Sequence, residues 1–167
     1  MFCTSCGHSP TNKINAAIWD KDTTKALELI EAADLKDLDR NSHNALETFF
    51  IQIFDTMEIT GYPINVATEF GNFEVTKALV EKGVDINVQD SLGYTPLLNS
   101  LNAYTQDRYK MANYLLDNGA DASITNDRGE SAVDLAVLKD DMILTTDEIK
   151  QERINLLYRL GYTGENW

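Results

Sequence analysis

The chain has 167 residues, about one domain's worth, which leaves little room for a multi-domain enzyme. Hydrophobic residues make up 43% and only 3 residues are proline, so there is enough apolar surface to bury a core, and wholesale disorder is excluded. Fourteen Lys+Arg against 27 Asp+Glu give a formal charge of -13, a field that repels phosphate backbones and anionic membranes and steers basic protein surfaces toward the chain.

In chain order, the first feature is CTSCGH. Cys3 and Cys6 are the only cysteines, so residues 7–167 hold no thiol and no disulfide framework. As a zinc half-site, Cys3, Cys6 and His8 lack a second ligand pair, and no metal or other cofactor is expected. As a redox C-x-x-C the motif lacks the α/β context it needs. Thr4, Ser5 and Cys6 instead resemble the end of a bacterial lipobox, in which a small residue precedes a lipid-bearing cysteine, with a polar tether behind it. Lipidation at Cys6 is favoured over an inert tail. It implies a periplasmic, membrane-anchored form when the full signal is present, whereas a chain starting at Met1 has too short an apolar stub for export and is expected in the cytoplasm. Residues 1–12 are accordingly assigned to a flexible tether and 13–167 to the folded domain. No run of about 18 apolar residues occurs, so no membrane-spanning helix is expected.

Residues 14–30, INAAIWDKDTTKALELI, read as a helix pair. In the next stretch Asp39, Asn44, Ala45 and Leu46 look like the opening of a repeat, yet Ala45 stands only 18 residues before Pro63. Either a second helix is missing there or a first helix is lengthened by the apolar run LETFFIQIFDTMEI, and both readings stay open. From Tyr62 onward a repeat is visible. Pro63 and Pro96 are 33 apart, while Gly83 and Gly119, Asp85 and Asp121, Gly93 and Gly129 are each 36 apart. A three-residue insertion accounts for the difference and is placed in the polar stretch 105–108.

Each copy predicts helix, turn, helix and extended loop. Thr95 caps the helix that Pro96 begins. Val75, Ala78 and Leu79, then Met111, Tyr114 and Leu115, recur at i, i+3, i+4 on one face of the second helix. Gly83 and Gly119 stop those helices. Asp90 and Asn126 sit at the bends of the loops that follow, where short polar side chains satisfy nearby backbone groups. A last helix is expected over residues 145–160, opened by a capping box from Thr145 to Glu148.

Asp90, Gly93, Thr95, Pro96 and Leu97, followed by Leu115, Leu116, Gly119, Ala120 and Asp121, resemble the ankyrin repeat opening D-x-x-G-x-T-P-L-H-x-A and its close L-L-x-x-G-A-D. The copy before keeps Pro63, Ile64, Ala67, Gly71, Leu79, Val80, Gly83 and Asp85; the copy after keeps Gly129, Ser131, Ala132, Leu135 and Ala136. Ala17, Leu29 and Ile30 extend the pattern to the first helix pair. The resemblance implies an all-α ankyrin-type solenoid of about four units. The histidine that follows T-P-L in the family is replaced by Asn65, Leu98 and Asp134, so the hydrogen bond of that ring is not expected and loop stiffness is in question.

Catalysis has poor raw material. His8 and His43 are the only histidines, no phosphate-loop, metalloprotease or nucleophile-elbow motif occurs, and Asp20 and Asp22 lack the rest of a calcium loop. Acidic pairs such as Asp140 and Asp141 read as solvated surface. Function is therefore expected in protein binding, without cofactor, by a chain that is monomeric when free. By the resemblance the partner meets the loop tips and short inner helices of a concave face: Arg40, Asn41, His43, Glu58, Ile59, Glu69, Phe70, Ser91, Leu92, Tyr94, Asn102, Ala103, Asp127, Arg128 and Glu130. Phe70 is read equally as an exposed anchor and as packed into the neighbouring unit, while Tyr94 is expected to be exposed. Tyr158, Tyr162 and Trp167 are expected to cover the end of the stack. Small size, acidity, the lipobox-like start and the repeat together resemble immunity proteins of secreted antibacterial toxins, including ankyrin lipoproteins paired with type VI secretion lipases. A general scaffold or stress-response protein with an endogenous client is the alternative.

Overall fold

The computed structural model describes residues 10–39, 61–138 and 146–163. Cys6, Arg40, Asn41, His43, Glu58 and Ile59, the two readings of the 39–62 stretch, and Trp167 lie outside those residues, apart from the flanking positions Asp39, Gly61 and Tyr62.

Nine helices are present among the described residues: α1 Pro10–Trp19, α2 Thr23–Ala32, α3 Leu35–Leu38, α4 Pro63–Glu69, α5 Phe73–Lys82, α6 Pro96–Asn102, α7 Arg108–Asp117, α8 Ala132–Leu138 and α9 Asp147–Arg159. Eight of them form four pairs, α1 with α2, α4 with α5, α6 with α7 and α8 with α9, and the short α3 lies against α1. The inner helices α1, α4, α6 and α8 touch in that order, and in the outer row α2 meets α5 while α7 meets α9. The expected all-α solenoid is thus what forms, because no single pair can bury both its faces and each must be covered by the next.

Local chemistry sets the helix ends. Asn72 Oδ1 accepts from the Val75 backbone N–H at 3.2 Å, Thr95 Oγ1 from that of Leu98 at 3.3 Å, and Pro63 and Pro96 occupy the first turns of their helices. Two boundaries differ from expectation. Helix α1 starts at Pro10 rather than beyond residue 12, with Thr11 buried and its hydroxyl donating to the Asp37 carbonyl. Helix α9 is capped by Thr146, whose hydroxyl accepts from Ile149 N–H, rather than by a Thr145–Glu148 box; Asp147 and Glu148 instead fill its first turn, where the helix dipole favours negative charge.

The core consists of two clusters. One gathers Ile14, Ile18, Ala26, Ile30, Ile64, Ala67, Val75 and Leu79; the other gathers Leu97, Leu98, Leu101, Tyr109, Met111, Leu115, Leu135, Leu156 and Leu157. Val80 and Ile86 pack against both and join them. Met111 and Leu115 are buried at the same positions as Val75 and Leu79, each 36 residues on, while α4 and α6 still match at 33. The insertion therefore falls between Asn102 and Met111, around the expected stretch. Arg108, the last residue of that stretch, is not a loop residue: it begins α7, is buried, and lies over the Tyr109 ring at 4.9 Å. At the end of the stack Leu156 and Leu157 do the covering and Tyr162 packs beside them, but Tyr158 points away and is 73% exposed, contrary to its expected capping role.

At the histidine column, Asn65 ties its unit to the next by another bond, whereas Asp134 does not. Asn65 Nδ2 donates to the Tyr94 carbonyl of the next unit at 2.8 Å, and Asn15, at the matching place in α1, donates to the Gly61 carbonyl at 3.0 Å. Both asparagines are buried, so each bond crosses a unit boundary shielded from water. Asp134 turns inward on its own helix, accepting from Ser131 N–H at 2.8 Å while the Ser131 hydroxyl accepts from Asp134 N–H at 3.3 Å, a reciprocal capping box. The Ser131 hydroxyl, which donates to the Asp134 carboxylate at 2.5 Å, and then the Ser131 N–H hold that carboxyl below the usual carboxylate range.

Candidate protein-binding surface

The loops between units are built twice on one plan. In the first, Asp90 Oδ1 accepts from the Leu92 and Tyr94 backbone N–H groups, each at 2.9 Å; in the second, Asn126 Oδ1 accepts from those of Arg128 and Glu130, each at 3.0 Å. The neighbouring loops are also bonded to each other. Asp127 N–H donates to the Leu92 carbonyl at 3.1 Å, Asp121 N–H to Asn87 Oδ1 at 2.9 Å, and Gln89 Nε2 to the Thr125 carbonyl at 3.1 Å, while the same Gln89 amide closes its own loop on the Gly93 carbonyl at 2.8 Å. A row of tips held this way presents its side chains without first having to order them.

Ser91, Leu92, Asp127 and Arg128 are exposed on these tips, and Glu69 and Asn102 are exposed at the ends of the inner helices. Leu92 is 59% exposed, an apolar side chain held out by a bonded loop. Glu130 is half-buried and engaged within the fold, taking Asn126 Nδ2 at 2.6 Å and the Tyr94 hydroxyl at 3.3 Å.

Two expected contact residues are core instead. Tyr94 is 7% exposed, because the bend at Asp90 turns its ring inward onto the α6–α8 cluster and its hydroxyl toward Glu130. Ala103 is 6% exposed, its N–H closing the last turn of α6 on the Asn99 carbonyl. For Phe70 both readings hold in part. It is 38% exposed, and its ring meets Trp19 of the preceding unit edge-on at 5.0 Å. Trp19 was not singled out from the sequence; its signal is an aromatic on the last turn of an inner helix, one unit before Phe70.

Although Glu69 reaches solvent, partial desolvation raises its carboxyl, and the neighbouring negative charge of Asp90 raises it further. A carboxyl raised in the folded state contributes stability that is full below its unfolded pKa, about 4.3, and is lost as pH rises through the folded value. Glu69→Gln is therefore expected to be more stable than the parent at pH 7 and equal to it at acidic pH, as measured by paired urea titrations. A parent that is the more stable of the two at pH 7 would contradict this.

Among the described residues no group of three or more His, Cys, Asp or Glu side chains is placed to hold a metal ion, and no helix is long and apolar enough to cross a membrane. The comparisons with known proteins agree with the repeat plan. The family described as ankyrin repeats (3 copies) matches residues 14–126. Protein phosphatase 1 regulatory subunit 27 of Homo sapiens is 42% identical over 66 residues, covering 39% of this chain and 40% of the relative. Protein phosphatase 1 regulatory subunit 12A of Rattus norvegicus is 34% identical over 98 residues, 59% of this chain and 9% of the relative. A putative ankyrin repeat protein of Borreliella burgdorferi is 35% identical over 63 residues, 38% of this chain and 27% of the relative. The chain thus spans well under two thirds of the length of these relatives. With paired helices, bonded loops and a family match over most of its length all in the same register, the chain belongs to the ankyrin repeat family.

Proposed function

We propose that this ankyrin chain is a non-catalytic protein-binding module that binds and neutralises a secreted antibacterial toxin, with a type VI secretion phospholipase as the first candidate. The observation that carries the binding surface is the row of bonded loop tips with Leu92 exposed on it: an apolar anchor on a pre-ordered frame, which is how interfaces concentrate affinity. A charge of -13 favours a toxin with a basic or mixed surface and speeds the encounter. Lipidation at Cys6 would hold such a protein in the periplasm, where a toxin acting on the envelope arrives. The purified chain, mixed with each toxin encoded beside its gene, is expected to form a one-to-one complex and to restore growth of toxin-exposed cells. Failure to bind or protect against any of them rejects the immunity reading.

A second reading has an observation of its own. Relatives whose names mark them as regulatory subunits of a protein phosphatase favour an endogenous client held on the same surface. Recovery of a housekeeping protein in stoichiometric amount from the native host, with no neighbouring toxin bound, would select it.

A further inference from the structure

At the end of the inner helices away from the loops, where each inner helix turns into its outer partner, a cleft of about 460 Å3 runs across the first three units. Ile18, Phe70 and Phe73 supply its apolar lining, and Lys21 and Lys110 its cations. The insertion in the third unit helps to build it. Asp107 lines the cleft, and Thr105 lies so close over Gly71 that a Cβ added there would fall 2.4 Å from Thr105 Cγ2.

Three features mark this cleft. Lys21 has a φ of 57°, and it is the only non-glycine residue with positive φ among the described residues. It stands at the turn where the following unit has Gly71 at 67°. An L side chain rarely adopts that conformation; here Lys21 lines the cleft and has no ion pair among the described residues. Lys110 likewise has no carboxylate partner among the described residues. Its ammonium rests 4.4 Å from the Phe73 ring centroid, in the first turn of α7, where the helix dipole disfavours a cation. The acidic residues of the cleft are differently placed. Glu74 is in the first turn of α5 and Asp107 stands at the cap of α7, where helix dipoles already favour negative charge. The two ammonium groups lack that help from a helix end, in a chain with 27 acidic residues. Beside it Phe70 and Trp19 form an exposed aromatic pair.

We propose that this cleft is a second docking surface, separate from the loop tips, which takes an extended segment of a partner protein presenting an aromatic or aliphatic side chain next to a carboxylate. The apolar side chain fills the space between Ile18, Phe70 and Phe73, and the carboxylate meets the ammonium groups of Lys21 and Lys110.

The test is a nuclear magnetic resonance titration of the nitrogen-labelled full chain with the blocked peptide Gly-Asp-Phe-Glu-Gly. Saturable shifts are expected at the amides of Lys21, Gly71, Phe73 and Lys110, with binding at least about tenfold weaker for Gly-Lys-Phe-Lys-Gly and for Gly-Asp-Ala-Glu-Gly. Lys21→Gly separates docking from folding, because glycine suits the positive φ: the melting temperature should hold or rise while affinity falls at least about threefold. Lys110→Gln should weaken binding similarly with the fold intact. Absence of saturable shifts at those amides, equal binding of the lysine peptide, or shifts confined to the 84–93 and 120–129 loops would overturn the proposal. So would a concentration-dependent shift of the same amides without peptide, which would mean that a second copy of the chain fills the cleft.

Discussion

Gly93→Ala is expected to lower the unfolding free energy by about 3 kcal/mol, whereas Gly129→Ala, at the same position of the next loop, should lower it by only about 1 kcal/mol. The backbone is alike at the two sites, with φ of 78° and 76°. An alanine at either position therefore carries the same left-handed strain. What differs is the neighbour. A Cβ at Gly93 would lie 2.7 Å from both the backbone nitrogen and Oδ1 of Asp127, but a Cβ at Gly129 would have nothing within 4 Å. Backbone cannot rotate aside as a flexible side chain can, so the second loop must move away and its Asp127 N–H to Leu92 O bond is lost. Urea denaturation of both variants checks the difference. Equal losses would show that the two loops do not hold each other.

Tyr94→Ala should destabilise the fold by about 3 to 5 kcal/mol, and Leu92→Ala, two residues away, should leave stability within about 0.5 kcal/mol while weakening partner binding by more than about 1 kcal/mol. Tyr94 is buried among Leu97, Leu98 and their cluster, so truncation opens a cavity between two units and strands the Glu130 contact. Tyr94→Phe keeps the ring and should cost only about 1 kcal/mol, the value of one hydrogen bond. Leu92 is 59% exposed and contributes little to the core, so its removal touches only what docks on the tip. Thermal unfolding of the variants, together with calorimetric titration of the partner that the chain binds, separates the two roles. A Tyr94→Ala protein that melts with the parent would return that ring to the binding surface.

Much of the architecture was legible because its causes are local. Proline in the first turn of α4 and α6, the cap at Thr95, the stops at Gly83 and Gly119, and the bends at Asp90 and Asn126 each depend on backbone groups a few residues away. A motif spacing carries such information directly. The surface was legible only in part, and the misses share one cause. Tyr94 and Ala103 occupy positions that the repeat pattern assigns to an exposed side, and both are buried. Asn65 and Asp134 share one column of the repeat, yet Asn65 donates to a carbonyl 29 residues on, whereas Asp134 bonds within its own first turn.

The period, the helix pairs, the loop bends and the acidity follow from residue type at short separation, and the chain carries them without reference to its fold. Tertiary structure alone decided which side chains face solvent, which carboxylate is raised, and that Lys21, Phe73 and Lys110 share one cleft. Exposure and electrostatic environment are sums over whatever stacks alongside, and in a solenoid those neighbours lie a full repeat or more away along the chain.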